Sequence, residues 1–418
     1  MKKMTCLLLA GLLLTGTLAG GCQRIPAARG AGLLADVEAA SWPDQAPRPS
    51  SELTDAVNHF AWDLLEHSID EGNRLISPAS VWLALAMTLN GAAGSTYDEL
   101  ADVLSVPGLS GSDRNLEARN WQIGLRNLPE PTRLDIANSI WYHKDYQPAS
   151  PFMQSTAAAF DAEIHRLDFA DPAAIETING WVSQMTEGAI DSIINEIDVQ
   201  TMMYLINAVY FKGDWSEPFD AVSTRDRPFM TEDGSVEVPF MHSQRSIRYI
   251  DADGVLGVVL PYKDQRTAMV ALLPRDDESP ADLVSQLSDG RLTGWVEQAE
   301  TGMVDLALPK FTIEDDLSLV KPLAAMGLIQ AFDSNSADFS AMSASGTRDL
   351  FIGEVRHKTF IRVDELGTEA AAVTSVEMRA TGMPVYDLTV SFDRPFVYVL
   401  LDLDSAAPLF IGLLENPA

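Results

Sequence analysis

Cysteine, positive charge and histidine are all scarce in this 418-residue chain, and each shortage excludes a class of molecule. Two cysteines, Cys6 and Cys22, are too few for a disulfide scaffold and form no CxxC metal or redox motif. Lys and Arg number 29 against 60 Asp and Glu, a net charge of −31. So acidic a surface repels a phosphate backbone, which sets nucleic acid aside. An anionic membrane is unfavourable for the same reason unless a covalent anchor overrides the charge. The six histidines, His59, His67, His143, His165, His242 and His357, show no metal-ligand spacing, and no GxSxG, HExxH, GxGxxG or Walker-type loop occurs.

What is present is a large apolar complement: 46% of residues are hydrophobic and 21% charged, enough for a sizeable core and too apolar for a disordered acidic chain. Lys2 and Lys3 precede an apolar run over residues 6–18 that ends in Leu18-Ala19-Gly20-Gly21-Cys22, which reads as a secretory signal peptide over residues 1–21. The small residues before Cys22 resemble the lipobox of bacterial lipoproteins, although Ala19 stands where that motif more often has Leu. The resemblance implies that Cys6 is removed and that Cys22 becomes a lipidated N-terminus. The protein would then cross the cytoplasmic membrane and stay anchored in the periplasm or on the cell surface. Residues 22–50, with Pro26, Pro43, Pro47 and Pro49 and no regular period, read as a flexible tether.

From Ser51 the pattern turns helical, with Leu53, Val57, Phe60, Ala61, Leu64 and Leu65 on one face and Ser50 or Ser51 available as a cap. Residues 173–194 read as helical early on, and residues 315–328 as another helix. Segments 204–211, 255–260, 267–273, 304–308, 360–363, 396–403 and 409–414 are apolar or alternating runs of strand length. Helices and strands do not alternate regularly, and no internal repeat or long linker interrupts residues 51–418, so one α+β domain is expected.

Two short matches to known sites dissolve on inspection. Asp251-Ala252-Asp253-Gly254 begins like a calcium loop but lacks the later ligands and the closing glutamate, so it reads as a turn. Ser318-Leu319-Val320-Lys321 has the SxxK spacing of penicillin-recognising enzymes, yet no KTG follows and the segment sits on an expected helix. The expectation is therefore a protein that is not an enzyme and needs no cofactor or metal. The informative segment is Val363-Asp364-Glu365-Leu366-Gly367-Thr368-Glu369-Ala370-Ala371-Ala372-Val373-Thr374. Alone it suggests a helix start capped by Thr368. The continuation over residues 375–389 has no apolar helical face and contains Gly382 and Pro384, a long irregular stretch of the kind that carries function.

These residues resemble the hinge of an inhibitory serpin, and the resemblance covers nearly all of the chain from Leu53 onward. Phe392-Asp393-Arg394-Pro395-Phe396 is similar to the anchor after that family's reactive loop. Asn207-Ala208-Val209-Tyr210-Phe211-Lys212-Gly213-Asp214-Trp215 matches a strand of its main sheet with the following tryptophan. Ile178-Asn179-Gly180-Trp181-Val182, with Thr186 and Gly188, matches the helix crossing that sheet, while Leu308-Pro309-Lys310-Phe311 and Leu409-Phe410-Ile411-Gly412 match two further strands.

The resemblance implies a multi-helix α+β fold around three β-sheets, with an exposed reactive loop over about residues 366–391. It implies an irreversible suicide-substrate inhibitor of serine, and by extension cysteine, endopeptidases. The protease cleaves the loop, is held as an acyl-enzyme, and is carried along as the loop inserts into the main sheet. Glu365, Gly367, Thr368, Glu369, Ala370, Ala371 and Ala372 form the hinge, whose small side chains suit insertion into a formed core. Leu366 replaces the polar residue usual there. Family spacing puts the reactive bond at Thr381-Gly382, with Arg379-Ala380 as the alternative. Ser77, Ser80, Asn207 and His357 match the shutter, where strands part; Trp215, Lys310 and Glu365 match the breach, where insertion begins. Arg114, Arg119 and Arg126 are few and interspersed with acids, which reads as a solvated face and speaks against heparin. The expected molecule is a monomer whose partner is a target protease. A non-inhibitory serpin with a binding or structural role is the other reading.

Overall fold

The computed structural model describes residues 42–418 apart from 44, 70–71, 199, 253, 276–277, 289 and 369–384, and the side chain of residue 288. The expected signal peptide, Cys22, the hinge residues Glu369, Ala370, Ala371 and Ala372, and both candidate reactive bonds, Arg379-Ala380 and Thr381-Gly382, lie outside the described residues.

Ser50 starts the first helix as expected. Its hydroxyl accepts from the Leu53 amide and caps Ser51–Ser68, which buries Leu53, Val57, Phe60, Leu64 and Leu65. Pro78–Leu89 is capped by Ser77, with Pro78 at its first turn, and is buried on almost every side. It packs against both Met203–Asp214 and Ala407–Leu414. All seven expected strands are present, at Met203–Asp214, Val255–Pro261, Thr267–Pro274, Glu300–Pro309, Arg356–Val363, Phe396–Asp402, which ends one residue before the expected bound, and Ala407–Leu414. Thr267–Pro274 and Ala407–Leu414 are buried along their whole length, which is why they read as unbroken apolar runs.

Two expected helices are shorter than their patterns. Ala173–Met185 stops because Glu187 and Gly188 turn into the left-handed region, with φ of 52° and 83°, so residues 186–194 leave the helix. Over residues 315–328 the helical expectation is wrong. Phe311–Ser318 is a strand that buries Phe311 and Ile313 and turns Thr312 and Glu314 outward, and only Val320–Ala325 is helical. Consecutive acids at Asp315 and Asp316 hide that alternation in the sequence.

The six-stranded sheet runs in the order Phe311–Ser318, Arg356–Val363, Gly367–Thr368, Met203–Asp214, Arg133–His143, Glu163–Leu167. One face carries the helix Pro78–Leu89 and the other Ala173–Met185, whose Ile178, Trp181 and Val182 pack with Ile206 and Ala208. In the other, nine-stranded system, the 19-residue strand Gly234–Ala252 pairs with Arg225–Thr231, Val255–Pro261 and Glu300–Pro309, so hydrogen bonds join two of the three expected sheets. The helices and sheets share one main hydrophobic core.

Candidate functional site

A two-residue strand, Gly367–Thr368, lies antiparallel between two longer neighbours. Thr368 is opposite Val363 on one side and Gly213 on the other, and Gly367 is opposite Asp214. Glycine is required here by space: a Cβ at Gly367 would collide with the Gly213 carbonyl oxygen and lie 2.8 Å from Asp214 Cα. Thr368 is 1% exposed, and its hydroxyl lies 2.7 Å from that of Tyr262.

The residues just before this strand are clasped by Trp215. Its backbone N–H donates to the Leu366 carbonyl at 2.8 Å and its indole N–H to the Asp364 carbonyl at 2.9 Å. The Phe219 amide donates to the Glu365 carbonyl at 2.8 Å. Lys310 Nζ donates to Glu365 Oε2 at 2.7 Å and Thr224 Oγ1 to Glu365 Oε1 at 2.8 Å. Burial alone would raise the Glu365 carboxyl, but hydrogen bonds from Lys310, the backbone and Thr224, together with the Lys310 charge, outweigh it and hold the group below its ordinary value. The expected trio Trp215, Lys310 and Glu365 is thus brought together where Gly367–Thr368 enters the sheet. Tyr262, which sequence reasoning missed, stacks on Trp215 with centroids 4.7 Å apart and planes 12° apart.

Farther down the sheet, Ser77, Ser80, Asn207 and His357 also meet. The Ser77 amide donates to His357 Nε2 at 2.9 Å, and the Ser77 hydroxyl donates to the Leu409 carbonyl at 2.8 Å. The Ser80 hydroxyl donates to Asn207 Oδ1. Two buried amides missing from the sequence expectation extend the row: Asn207 Nδ2 donates to Asn138 Oδ1 at 2.6 Å, and Asn138 Nδ2 donates to Gln122 Oε1 at 3.0 Å. Alternation along Met203–Asp214 explains the direction, since Ile206 and Ala208 face the crossing helix and Asn207 the opposite side. His357 accepts at Nε2, so its ring is neutral, and burial pushes its pKa down to about 4. A fully paired buried row of this kind resists sliding, because moving either strand orphans several polar groups at once.

The other sequence candidates are dispersed. Ser318 ends a strand and donates to Glu354 Oε1 at 2.7 Å, while Lys321 is exposed on the following helix. Asp251 and Gly254 flank the hairpin between Gly234–Ala252 and Val255–Pro261. Among the described residues no group of three or more His, Cys, Asp and Glu is placed to hold a metal ion. The arginine helix departs from the expected solvated face. Arg114 is 1% exposed over Tyr97, and Arg119 and Arg126 lie 5.5 and 4.9 Å from the ring of Trp42, because aromatic faces attract guanidinium groups. Part of the segment expected to be a tether is therefore docked on Gly111–Arg126, with the Ser50 amide donating to Glu117 at 2.8 Å, while Arg48 pairs at 3.2 Å with Asp404, in the turn between Phe396–Asp402 and Ala407–Leu414.

Known proteins resemble this chain over most of its length. A family profile described as Serpin (serine protease inhibitor) matches residues 55–417. Leukocyte elastase inhibitor of Equus caballus is 34% identical over 384 residues, spanning 88% of this chain and 100% of its own. Antithrombin-III of Mus musculus is 31% identical over 395 residues, spanning 90% of this chain and 84% of its own. The crystal structure of the thermophilic serpin tengpin in its native state superposes with a TM-score of 0.83 at 36% identity, covering 91% of this chain and 97% of that one. Thyroxine-binding globulin in complex with thyroxine superposes at 0.75 and 26% identity, covering 87% and 99%.

Proposed function

The chain belongs to the serpin family, and from that premise we propose that it is an irreversible, single-turnover inhibitor of serine endopeptidases, with cysteine endopeptidases as a second target class. Its family is one of protease inhibitors rather than of catalysts, so the expected partner is a target protease. The observation that carries the inhibitory reading is Gly367–Thr368. The main sheet already admits the first two residues of a new strand between Arg356–Val363 and Met203–Asp214. The sequence that would follow, Glu369-Ala370-Ala371-Ala372, has small side chains at the positions that must enter the core.

In this reading a protease attacks the bond Thr381-Gly382, or Arg379-Ala380 in the alternative, and forms an acyl-enzyme. Strand addition then continues from Thr368 and carries the protease with it before water can release it. Trp215, Lys310 and Glu365 act as the gate at which strands begin to part. Ser77, Ser80, Asn207 and His357, extended by Asn138 and Gln122, act as the latch farther down. The intact fold is held kinetically, since cleavage only removes a constraint. The inhibitor acts as a monomer displayed by a lipid on Cys22 at the periplasmic or outer cell surface, and the arginines of Gly111–Arg126 are engaged by aromatic rings and acids rather than offered to heparin.

The test is incubation with trypsin-, chymotrypsin-, elastase-, subtilisin- and papain-like proteases, followed by denaturing gels. A band of summed mass that survives denaturant is expected with at least one class. N-terminal sequencing of the released fragment should begin after Thr381 or Arg379. Loop cleavage by the whole panel without such a band would favour a non-inhibitory role.

A further inference from the structure

The hinge threonine has a partner that nothing in the gate or latch requires, and we propose that Tyr262 is a positioning residue that fixes the register of loop insertion before any bond is cut. The consequence for inhibition rests on the reading above; the contact itself does not. Tyr262 and Thr368 are 0% and 1% exposed, and their hydroxyls lie 2.7 Å apart. Among the described residues neither hydroxyl makes another hydrogen bond. The tyrosine ring is locked by its stack on Trp215 and an edge contact with Phe211 at 5.0 Å. It also lies against Gly213, where a Cβ would come within 2.8 Å of the ring, and Gly213 is the residue opposite Thr368 in the ladder. Ring, glycine and threonine therefore form one socket in which the hydroxyl of Tyr262 points at a single strand position.

That hydroxyl discriminates between registers. Strand side chains alternate, so slipping by one residue would bring the carboxylate of Glu369 into an inaccessible site. Slipping by two keeps the correct face but puts Ala370 over Tyr262, leaving the buried hydroxyl without a partner. A purely apolar socket would accept Ala370 or Ala372 as readily as Thr368. The cost of burying a carboxylate rejects the first slip and the hydroxyl pair rejects the second, so the strand that grows after cleavage starts from one fixed residue.

Tyr262→Phe, Thr368→Val and the double variant test this in the full chain. Hydrogen exchange followed by mass spectrometry on peptides covering residues 361–368 reports whether the hinge stays in the sheet. Partition between trapped complex and cleaved free inhibitor reports its use. Each single variant strands one buried hydroxyl and should speed exchange at Gly367 and Thr368 by roughly tenfold while shifting partition toward cleavage. The double variant, an apolar pair of similar shape, should return exchange toward wild type because no hydroxyl is left buried without a partner, while partition stays shifted toward cleavage because an apolar socket no longer selects Thr368 over Ala370. Unchanged exchange in the single variants, a double variant no closer to wild type in exchange than either, or a double variant that partitions as wild type does, overturns the proposal. Thr368→Val with wild-type Tyr262 serves if Tyr262→Phe folds poorly. A wild-type protein that traps no protease would remove the partition readout and the inhibitory reading together, and exchange alone would then decide the register claim.

Discussion

Acidification should weaken the native state through His357. Burial disfavours its cation and pushes its pKa down to about 4, and its Nε2 accepts the Ser77 amide at 2.9 Å, so a proton there adds a buried charge and removes an acceptor. In the unfolded chain the same ring titrates near ~6.5. Between those values the unfolded state binds a proton that the native state refuses. The stability is complete above the unfolded pKa and is lost as pH falls toward the folded one. Linkage puts the loss at about 2 kcal/mol by pH 5 and about 3 kcal/mol by pH 4, relative to pH 7.5. Carboxylates titrate nearby, so the informative quantity is a difference. His357→Asn keeps an oxygen to accept the Ser77 amide but does not titrate. Urea unfolding of both proteins at pH 7.5 and pH 5.0, compared at one fixed incubation time, should cost the wild type about 2 kcal/mol more than the variant. Equal losses would refute the reasoning, as would an NMR titration placing His357 at the ordinary histidine value.

Thr368→Arg puts a guanidinium where the side chain is 1% exposed, a cost of several kcal/mol at the first step of insertion; inhibition assays should show a substrate that is cleaved and released, and unchanged stoichiometry would refute the hinge assignment. Glu365→Lys removes the 2.7 Å pair with Lys310 and sets two ammonium groups side by side. The ion pair itself contributes only about 1 kcal/mol, since the lysine side chain is 34% exposed, but like-charge repulsion should loosen the gate and increase polymers on native gels. Mass spectrometry of the mature protein should find an acylated Cys22 at the N-terminus, and an unmodified residue there would contradict the anchor.

Much of the fold was legible because its signals are local. Ser50 as a cap, the apolar run over residues 267–273 and the alternation near residues 304–308 each dictate an element without help from the rest of the chain. Residues 315–328 were misread because Asp315 and Asp316 interrupt a period-two pattern that only pairing with Arg356–Val363 makes decisive. The site divides the same way. Glu365 and Gly367 sit in a recognisable run, and His357, Asn207 and Trp215 gain meaning from their order along the chain. Asn138 and Gln122 carry no motif: a polar residue in a strand or helix reads as solvated until the fold buries it at the end of a hydrogen-bonded row. Tyr262 was missed for a related reason, since its role depends on Gly213 and Thr368, 49 and 106 residues distant, arriving at the same place. Arg119 and Arg126 read as a solvated face because Trp42, which lies against both, belongs to a segment with no periodicity of its own.

The central claim is that the six-stranded sheet accepts the cleaved loop as a further strand, and thermal unfolding after loop cleavage tests it most directly. A protease that cuts within residues 378–383 without being trapped should convert the protein to a form that melts far above the intact one, because the loop residues following Thr368 would then complete the sheet between Arg356–Val363 and Met203–Asp214. A cleaved form that melts at the same temperature as the intact protein, or below it, would contradict the account.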